Sequence, residues 1–381
     1  MQTTQDDRRQ LQDSVRRYVE RSYGFDVRTR LSHEPLGFSV ERWQTFAEMG
    51  WLGVGLPEPC GGFGGALEQA ALAEELGRAG VLEPWLANCA LCAPLLCALG
   101  ERGATLAASI ASGDARFALA AWEPQGRYDA FDVRATATPA GERWRLAGRK
   151  TLVLGAAGAD TVLVLARTTG ADRDHRGLAV FAVPTDAAGL AMSVLPTYDG
   201  RQTARLDLAA VELPASALLS EPGNAWTWVE AAIDRATTMA CAEAVGAMSR
   251  TLELTRDYLQ SRRQFGRAIT DNQVIRHRLV DLFVAVEQSR AITEAAAAHL
   301  DDEPAARARA VSLAKAFVSP AARRVGEEGV QLHGAIGMTD EVEVGHCYKR
   351  LAAVANLLGD AEWHLQRLAE LDAGRALSGQ A

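Results

Sequence analysis

Downstream of Glu221-Pro-Gly-Asn the apolar residues recur every three or four positions almost to the C-terminus. Val245, Met248, Leu252, Thr255 and Leu259 carry that period, which places them along one face of a helix. A chain that commits so long a stretch to a helical period must bury it in a bundle of helices. Upstream, between about Phe117 and Pro222, the pattern changes to short runs such as Thr161-Val-Leu-Val-Leu-Ala-Arg, Leu178-Ala-Val-Phe-Ala-Val-Pro and Ala204-Arg-Leu-Asp-Leu. These runs are separated by Gly, Pro, Asp and Asn turns and read as strands. Before them the helical period holds again: Trp43, Phe46 and Gly50 stand at i, i+3 and i+7, and Gly80 sits where a C-cap would end a helix begun near Ala66. The expected fold is α+β, with an N-terminal helical domain (1–115), a middle β-barrel or sandwich (116–222) and a C-terminal four-helix bundle (223–381).

Composition narrows the function. With 381 residues, 48% of them hydrophobic, the chain is long enough for two or three domains, and it has no apolar run near the roughly 18 residues that a membrane span needs. The opening MQTTQDDRRQLQDSV is polar and acidic, unlike a signal or transit peptide, so the cytoplasm is the expected compartment. A formal charge of -8 with scattered basic residues argues against nucleic acid as a partner. Six cysteines are too few for a disulfide framework. Cys89-Ala-Leu-Cys92 has no second pair at ligand spacing; with Leu86, Leu91, Leu95, Leu96 and Cys97 it reads as a buried helix in which cysteine is a small apolar filler. His277, His333, His346 and His364 do not cluster at ligand spacing either, and no metal is expected. The glycines of Cys60-Gly-Gly-Phe-Gly-Gly lack the Lys-Ser/Thr of a phosphate loop and the distal acid of a dinucleotide fingerprint, which leaves a connecting loop.

Several segments together resemble one family. Gly50-Trp-Leu-Gly-Val-Gly-Leu-Pro-Glu-Pro-Cys-Gly-Gly, Trp122-Glu-Pro-Gln-Gly-Arg-Tyr-Asp, Arg262-Arg-Gln-Phe-Gly-Arg-Ala-Ile with Gln273, Gln331-Leu-His-Gly-Ala-Ile-Gly-Met-Thr-Asp-Glu, Tyr348-Lys-Arg and Leu357-Leu-Gly-Asp stand in the order and spacing of the acyl-CoA dehydrogenases. The resemblance spans about residues 10–370. It implies FAD as cofactor, an acyl-CoA thioester as substrate, α,β-desaturation as reaction and an electron-transferring flavoprotein as electron acceptor. That chemistry needs a carboxylate base, a flavin against the substrate and hydrogen-bond donors on the thioester oxygen.

One departure is catalytic. The family's commonest form has its glutamate base immediately before the glycine matched by Gly359, where this chain has Leu358. Leu358 keeps a backbone N–H for the substrate oxygen but offers no base. A minority of the family carries the base in a Glu-Arg pair on the first helix of the C-terminal domain, and Asp234-Arg235 falls at that place. Asp234 lies 18 residues, five whole turns, before Leu252, and Met248 and Cys241 fall within about 40° of the same line, so this acid shares the apolar stripe. The alternative role for Asp234 is a structural ion pair, with Arg235 or another arginine. Glu243 projects to the opposite side and is expected at the solvated surface, while Glu230, a full turn earlier, is a reserve.

The flavin contacts are asymmetric. In the family each FAD is shared by two subunits, and positions implied to reach a neighbour's adenine and pyrophosphate are kept: Arg262, Gln264, Phe265, Gln273, Gln331 and Gly334, with Ala335 replacing a second glycine. Positions implied to hold the flavin ring of the chain's own site have drifted. Trp122 replaces a threonine, Tyr128 a serine, Leu152-Val-Leu154 a Trp-Ile-Thr and Asp360 a threonine. The pattern resembles the small subunit of heteromeric dehydrogenases acting on dicarboxylyl-CoA or steroid side-chain CoA esters. The partner is then a second acyl-CoA dehydrogenase subunit in a heterotetramer; a homo-oligomer, a catalytically silent subunit and a flavin oxygenase or oxidase are the alternatives.

Overall fold

The computed structural model describes residues 5–378. Helices α1 (Gln5–Ser22), α2 (Phe25–Leu31), α3 (Val40–Glu48) and α4 (Ala66–Arg78) come first, and a π-helical turn at Leu86–Cys92 leads into α5 (Ala93–Ala98) and α6 (Gly100–Ala111). Seven strands follow: β1 (Phe117–Ala120), β2 (Thr136–Ala140), β3 (Arg143–Leu154), β4 (Thr161–Arg167), β5 (Leu178–Pro184), β6 (Leu190–Pro196) and β7 (Gln202–Pro214). Then come α7 (Trp226–Ser261), a hairpin of β8 (Arg263–Gln264) and β9 (Arg267–Ala268), α8 (Gln273–Ala298), α9 (Pro304–His333), α10 (Glu343–Asn356) and α11 (Ala361–Ser378). The order α, β, α follows the change of period in the sequence.

The chain forms two compact units. One comprises the described residues up to Arg30, Ala66–Val81 and the described residues from Thr237 onward; the other comprises Leu31–Gly65 and Leu82–Ala236.

The second unit is built on one sheet in the order β1-β4-β2-β3-β7-β6, with β5 also paired to β4. β1 and β4 run parallel; β3 pairs antiparallel with β2 and β7, and β4 with β5. The alternation in β7 separates buried Ala204, Leu206 and Leu208 from exposed Arg205 and Asp207, so this strand buries one face only. Phe181, Leu146, Val164 and Val211 fill the core, and Trp144 meets Phe181 edge to face at 5.3 Å. In the same unit Trp43 and Phe46 of α3 are fully buried. Gly50, at φ +75°, lies beyond the end of α3 and takes no part in its helical face.

The cysteines need one correction. Cys89 and Cys92 are fully buried, and burial pushes both thiols up, as expected of apolar fillers. Cys97 is not a filler, because it is bonded to Cys60 across 37 residues of sequence. Sequence spacing alone could not pair a loop cysteine with one on α5.

In the first unit α4 and α7 touch backbone to backbone. A Cβ on Gly246 would stand 1.8 Å from the Glu74 carbonyl oxygen, and one on Gly77 would stand 2.2 Å from that of Glu243, so both helices need glycine at the crossing. Every residue of α7 from Ala236 to Met248 is buried. This corrects Glu243: it is 5% exposed, and its carboxylate lies 3.6 Å from the Arg350 guanidinium, which also donates to the Val81 carbonyl at 3.0 Å. A helix buried around its whole circumference has no solvated side to receive an acid.

Candidate active site

Of the drifted flavin-ring positions, Trp122, Tyr128 and Leu152–Leu154 lie in the second unit, near a buried ion pair, while Asp360 lies in the first. Lys150 Nζ donates to Glu123 Oε1 at 2.7 Å and to the Ala121 carbonyl at 3.1 Å. The Glu123 carboxylate also accepts from the Arg134 and Ala135 amides at 2.9 and 3.0 Å and from Gln125 Nε2 at 2.9 Å. Burial drives the Lys150 ammonium down to about 8 against the pull of Glu123. Burial also pushes the Glu123 carboxyl up, but Lys150 and the hydrogen bonds from Gln125 and Ala135 outweigh it and leave the carboxyl below its usual range. The pair is therefore ionic at neutral pH. It fixes the ends of two segments that touch next door, where the Thr151 amide donates to the Trp122 carbonyl at 2.9 Å.

Trp122 is buried and its indole Nε1 donates to the Tyr128 carbonyl at 3.3 Å. Its one polar group is thus used within the chain. Tyr128 and Leu154 are half-buried, while Leu152 is 50% exposed at φ +52°. Positive φ is costly for a side chain of this kind, about 1–3 kcal/mol. Among the described residues five non-glycine positions adopt it, and four of them, Arg127, Leu152, Phe265 and Leu358, fall on the segments singled out in the sequence. The left-handed backbone positions thus concentrate on the segments that carry the family resemblance.

Asp234 lies on α7 in the same unit and is 1% exposed. Its neighbour Arg235 donates to the Gly55 carbonyl at 3.3 Å, and Glu230, one turn earlier, is half-buried. The sequence placed Asp234 on the apolar side of its helix, and the structure buries it.

Leu358 belongs to the other unit. It is buried at φ +59°, followed by Gly359 at φ +110°, where a Cβ would stand 2.6 Å from His364 Nε2. Asp360 caps α11: its Oδ1 accepts from the Trp363 amide at 2.9 Å, which gives the aspartate a structural duty in place of the threonine's hydroxyl. His364 Nε2 lies 3.2 Å from the Leu358 carbonyl and Nδ1 3.2 Å from Ser312 Oγ. A carbonyl only accepts, so Nε2 carries the proton and Nδ1 accepts from the serine hydroxyl.

Burial first, then the charges of Lys315 and Arg367, lower His364 to about 3. An unfolded chain takes up that proton below about 6.5, whereas the folded one does not. The stabilisation from neutral His364 is therefore complete above pH 6.5 and is lost as pH falls toward 3. We expect the stability difference between wild type and His364→Gln to shrink by about 1.4 kcal/mol per pH unit below 6.5, roughly 2 kcal/mol by pH 5. Denaturant unfolding at pH 7, 6 and 5 checks it; a difference independent of pH contradicts the neutral assignment.

The positions expected from the sequence to reach a neighbour's cofactor gather at one end of the helices in the first unit. Tyr258, near the end of α7, stacks on His333, the last residue of α9, with ring centroids 4.5 Å apart and planes at 18°. His333 is buried, which lowers its pKa, and its Nδ1 donates to the Gly329 carbonyl at 2.8 Å. The stack brings together the segments that follow each residue. One is the Arg262 hairpin leading to Gln273 at the start of α8, and the other is Gln331, Gly334 and Ala335. Arg262, Gln264, Phe265, Gln273, Gln331, Gly334 and Ala335 are all exposed in the single chain. Phe265 and Gly266 form the two-residue turn between β8 and β9 with φ +52° and +80°, the left-handed pair that a tight hairpin uses. Phe265 is thereby held out at 100% exposure. Gly334 adopts φ +67° with open space where a Cβ would point. One guanidinium group, three amide side chains and an open glycine form a donor set that fits a dinucleotide's diphosphate and adenine. The ring-side set of Trp122, Tyr128, Leu152 and Leu154 offers few free hydrogen-bonding side chains.

The α-β-α order with its C-terminal helices defines a fold class, and comparison with known proteins places the chain within it. Models for the acyl-CoA dehydrogenase N-terminal, middle and C-terminal domains match residues 5–103, 118–211 and 223–371. The chain belongs to the acyl-CoA dehydrogenase family, whose members are FAD-dependent oxidoreductases. It is 30% identical over 344 residues to the probable acyl-CoA dehydrogenase YngJ of Bacillus subtilis, covering 87% of this chain and 88% of that one. Among solved structures it is similar to the ChsE4-ChsE5 complex of Mycobacterium tuberculosis, at 27% identity and TM-score 0.87 over 97% of this chain and 98% of that one. It is also similar to the Tcur3481-Tcur3483 steroid acyl-CoA dehydrogenase, at 27% identity and TM-score 0.86 over 98% and 99%. Among the described residues no group of three or more His, Cys, Asp or Glu side chains is placed to hold a metal, and no helix is long and apolar enough to cross a membrane.

Two site features escaped the sequence. The Glu123–Lys150 pair joins residues 27 apart, and its only local sign is a lysine ahead of the apolar run Leu152-Val-Leu. Lys315, buried beside the Leu358 turn, is a lone charge within Val311-Ser-Leu-Ala-Lys-Ala-Phe-Val.

Proposed function

We propose that this chain is one subunit of a heteromeric acyl-CoA dehydrogenase. It lends Arg262, Gln264, Phe265, Gln273, Gln331 and Gly334 to the adenine side of a partner subunit's FAD, and it carries Asp234 as the base of its own site. The observation that carries the proposal is Phe265, wholly exposed on a turn whose backbone fixes it outward and flanked by exposed Arg262 and Gln264. Such a group is covered when a second subunit and its cofactor dock. The complexes named for ChsE4-ChsE5 and Tcur3481-Tcur3483 support a partner that is a second dehydrogenase chain, and the latter, a steroid acyl-CoA dehydrogenase, supports a steroid-type CoA ester as substrate. An electron-transferring flavoprotein is the proposed electron acceptor, the cytoplasm the proposed compartment, and 1–115, 116–222 and 223–381 the proposed domains.

FAD, when bound, supplies the hydride acceptor for the β-carbon of the thioester. The Leu358 backbone N–H donates to the thioester oxygen, where negative charge builds as the α-proton leaves. Asp234 takes that proton, and its burial excludes water from the carboxylate. An aspartate reaches roughly 1.5 Å less than a glutamate, so the substrate must sit closer to α7.

A second reading, a silent subunit that only completes the partner's FAD site, is favoured by the bulk and internal hydrogen bond of Trp122 together with Leu358 in place of a carboxylate.

Phe265→Asp tests the shared half-site. The substitution leaves the hairpin turn intact but places a carboxylate beside the partner's phosphates. We expect the co-purified complex to lose at least half of its FAD while the variant chain keeps its melting temperature within about 2 °C, since exposed substitutions change stability by only about 0.5 kcal/mol. Undiminished FAD content contradicts the half-site.

A further inference from the structure

Lys315 of α9 is fully buried, yet the reaction chemistry gives it no part. Its Nζ lies 2.9 Å from the Val354 carbonyl, 3.2 Å from that of Ala355 and 2.8 Å from that of Gly359, with Ser319 Oγ at 3.1 Å. Val354 and Ala355 belong to the last turn of α10, at the negative end of the helix dipole, where the Leu357 amide also donates to the Val354 carbonyl. Gly359 lies beyond Leu358. One ammonium therefore ties the end of α10 to the far side of the Leu358 turn, spending its protons on backbone oxygens. His364 of α11 holds the remaining carbonyl, that of Leu358 itself.

The turn needs this grip. Leu358 at φ +59° and Gly359 at φ +110° are conformations that relax unless their surroundings over-determine them. A buried ammonium is itself costly, and burial lowers Lys315 to about 8, opposed by the Cys241 thiol and Asp360 and reinforced by Arg323. A hydrophobic side chain would fill the same space at less cost but would remove the ammonium's bonds to the Ala355 and Gly359 carbonyls and leave that of Val354 with the Leu357 amide alone.

We propose that Lys315 is a positioning residue for thioester recognition. By gripping the carbonyls on both sides of Leu358, it holds the Leu358 backbone N–H where the substrate oxygen binds. The proposal rests on the reading that this N–H is the oxygen's donor, and the test separates the two.

The FAD-loaded complex is titrated with butyryl-CoA and with S-butyl-CoA, a thioether that has no carbonyl oxygen. Hydrogen exchange is followed at the amides of residues 357–361. In Lys315→Met we expect exchange in the turn to quicken at least tenfold and the preference for butyryl-CoA over S-butyl-CoA to fall at least tenfold. The S-butyl-CoA affinity should stay within twofold. Where Lys315→Met fails to fold, Lys315→Gln, which keeps an uncharged donor, should show a smaller loss in the same two readouts. Unchanged exchange, an unchanged preference, or a parallel loss of both ligands in whichever variant folds overturns the positioning role. A wild-type complex with no preference for the thioester overturns instead the assignment of Leu358 as the donor, and with it the role of Lys315 in recognition.

Discussion

Replacing Asp234 with asparagine is expected to lower kcat of the assembled complex at least a thousandfold at the site this chain contributes, with FAD content and melting temperature unchanged. Asparagine has nearly the same shape and cannot accept the α-proton, so the loss is one of chemistry, worth about 4 kcal/mol of barrier. Neither of two other positions can compensate: Glu243 faces Arg350 at 3.6 Å, and position 358 holds leucine. Asp234→Glu should retain substantial turnover, because the longer acid restores the reach of the family's minority form. Activity of Asp234→Asn equal to wild type assigns all turnover to the partner and makes this chain the silent subunit.

The second large effect is expected on stability. Lys150→Met removes the ammonium from a pair that is buried on both sides and leaves the Glu123 carboxylate with only neutral donors. Breaking one side of such a pair costs about 3–5 kcal/mol. At roughly 2–4 °C per kcal/mol for a unit of this size, the transition of the sheet-bearing unit should fall by roughly 10 °C. The double variant Lys150→Met with Glu123→Gln should lose less than the sum of the two single changes, since the second change removes the uncompensated charge created by the first. Scanning calorimetry of the three variants measures both quantities. Strictly additive losses contradict the direct coupling between these groups.

The layout was legible in the sequence because periodicity records one-sided burial. Trp43 with Phe46 on the buried side of α3, the glycine at 80 beyond α4 and the alternation in β7 each sit where the pattern placed them. α7 shows where that signal fails. Its stripe of Val245, Met248 and Leu259 is buried, but so is the opposite side, and Glu243 went astray because a helix enclosed all round has no polar face. The site was legible as a set of segments rather than as interactions. The exposed hairpin and Gln331 came from motif order, whereas Glu123 with Lys150, Lys315 with the Leu358 turn and Cys60 with Cys97 depend on pairings across 27 to 44 residues that no local period encodes. Asp360 explains one drifted position: the side chain that departs from the family pattern has been put to use capping α11.

The most direct measurement is the flavin absorbance and mass of this chain purified alone and after co-expression with a second acyl-CoA dehydrogenase subunit. A shared half-site predicts little bound FAD and little turnover for the chain alone, and a flavin-loaded, active heteromer for the pair. A homo-oligomer carrying one FAD per chain with full turnover would contradict the account.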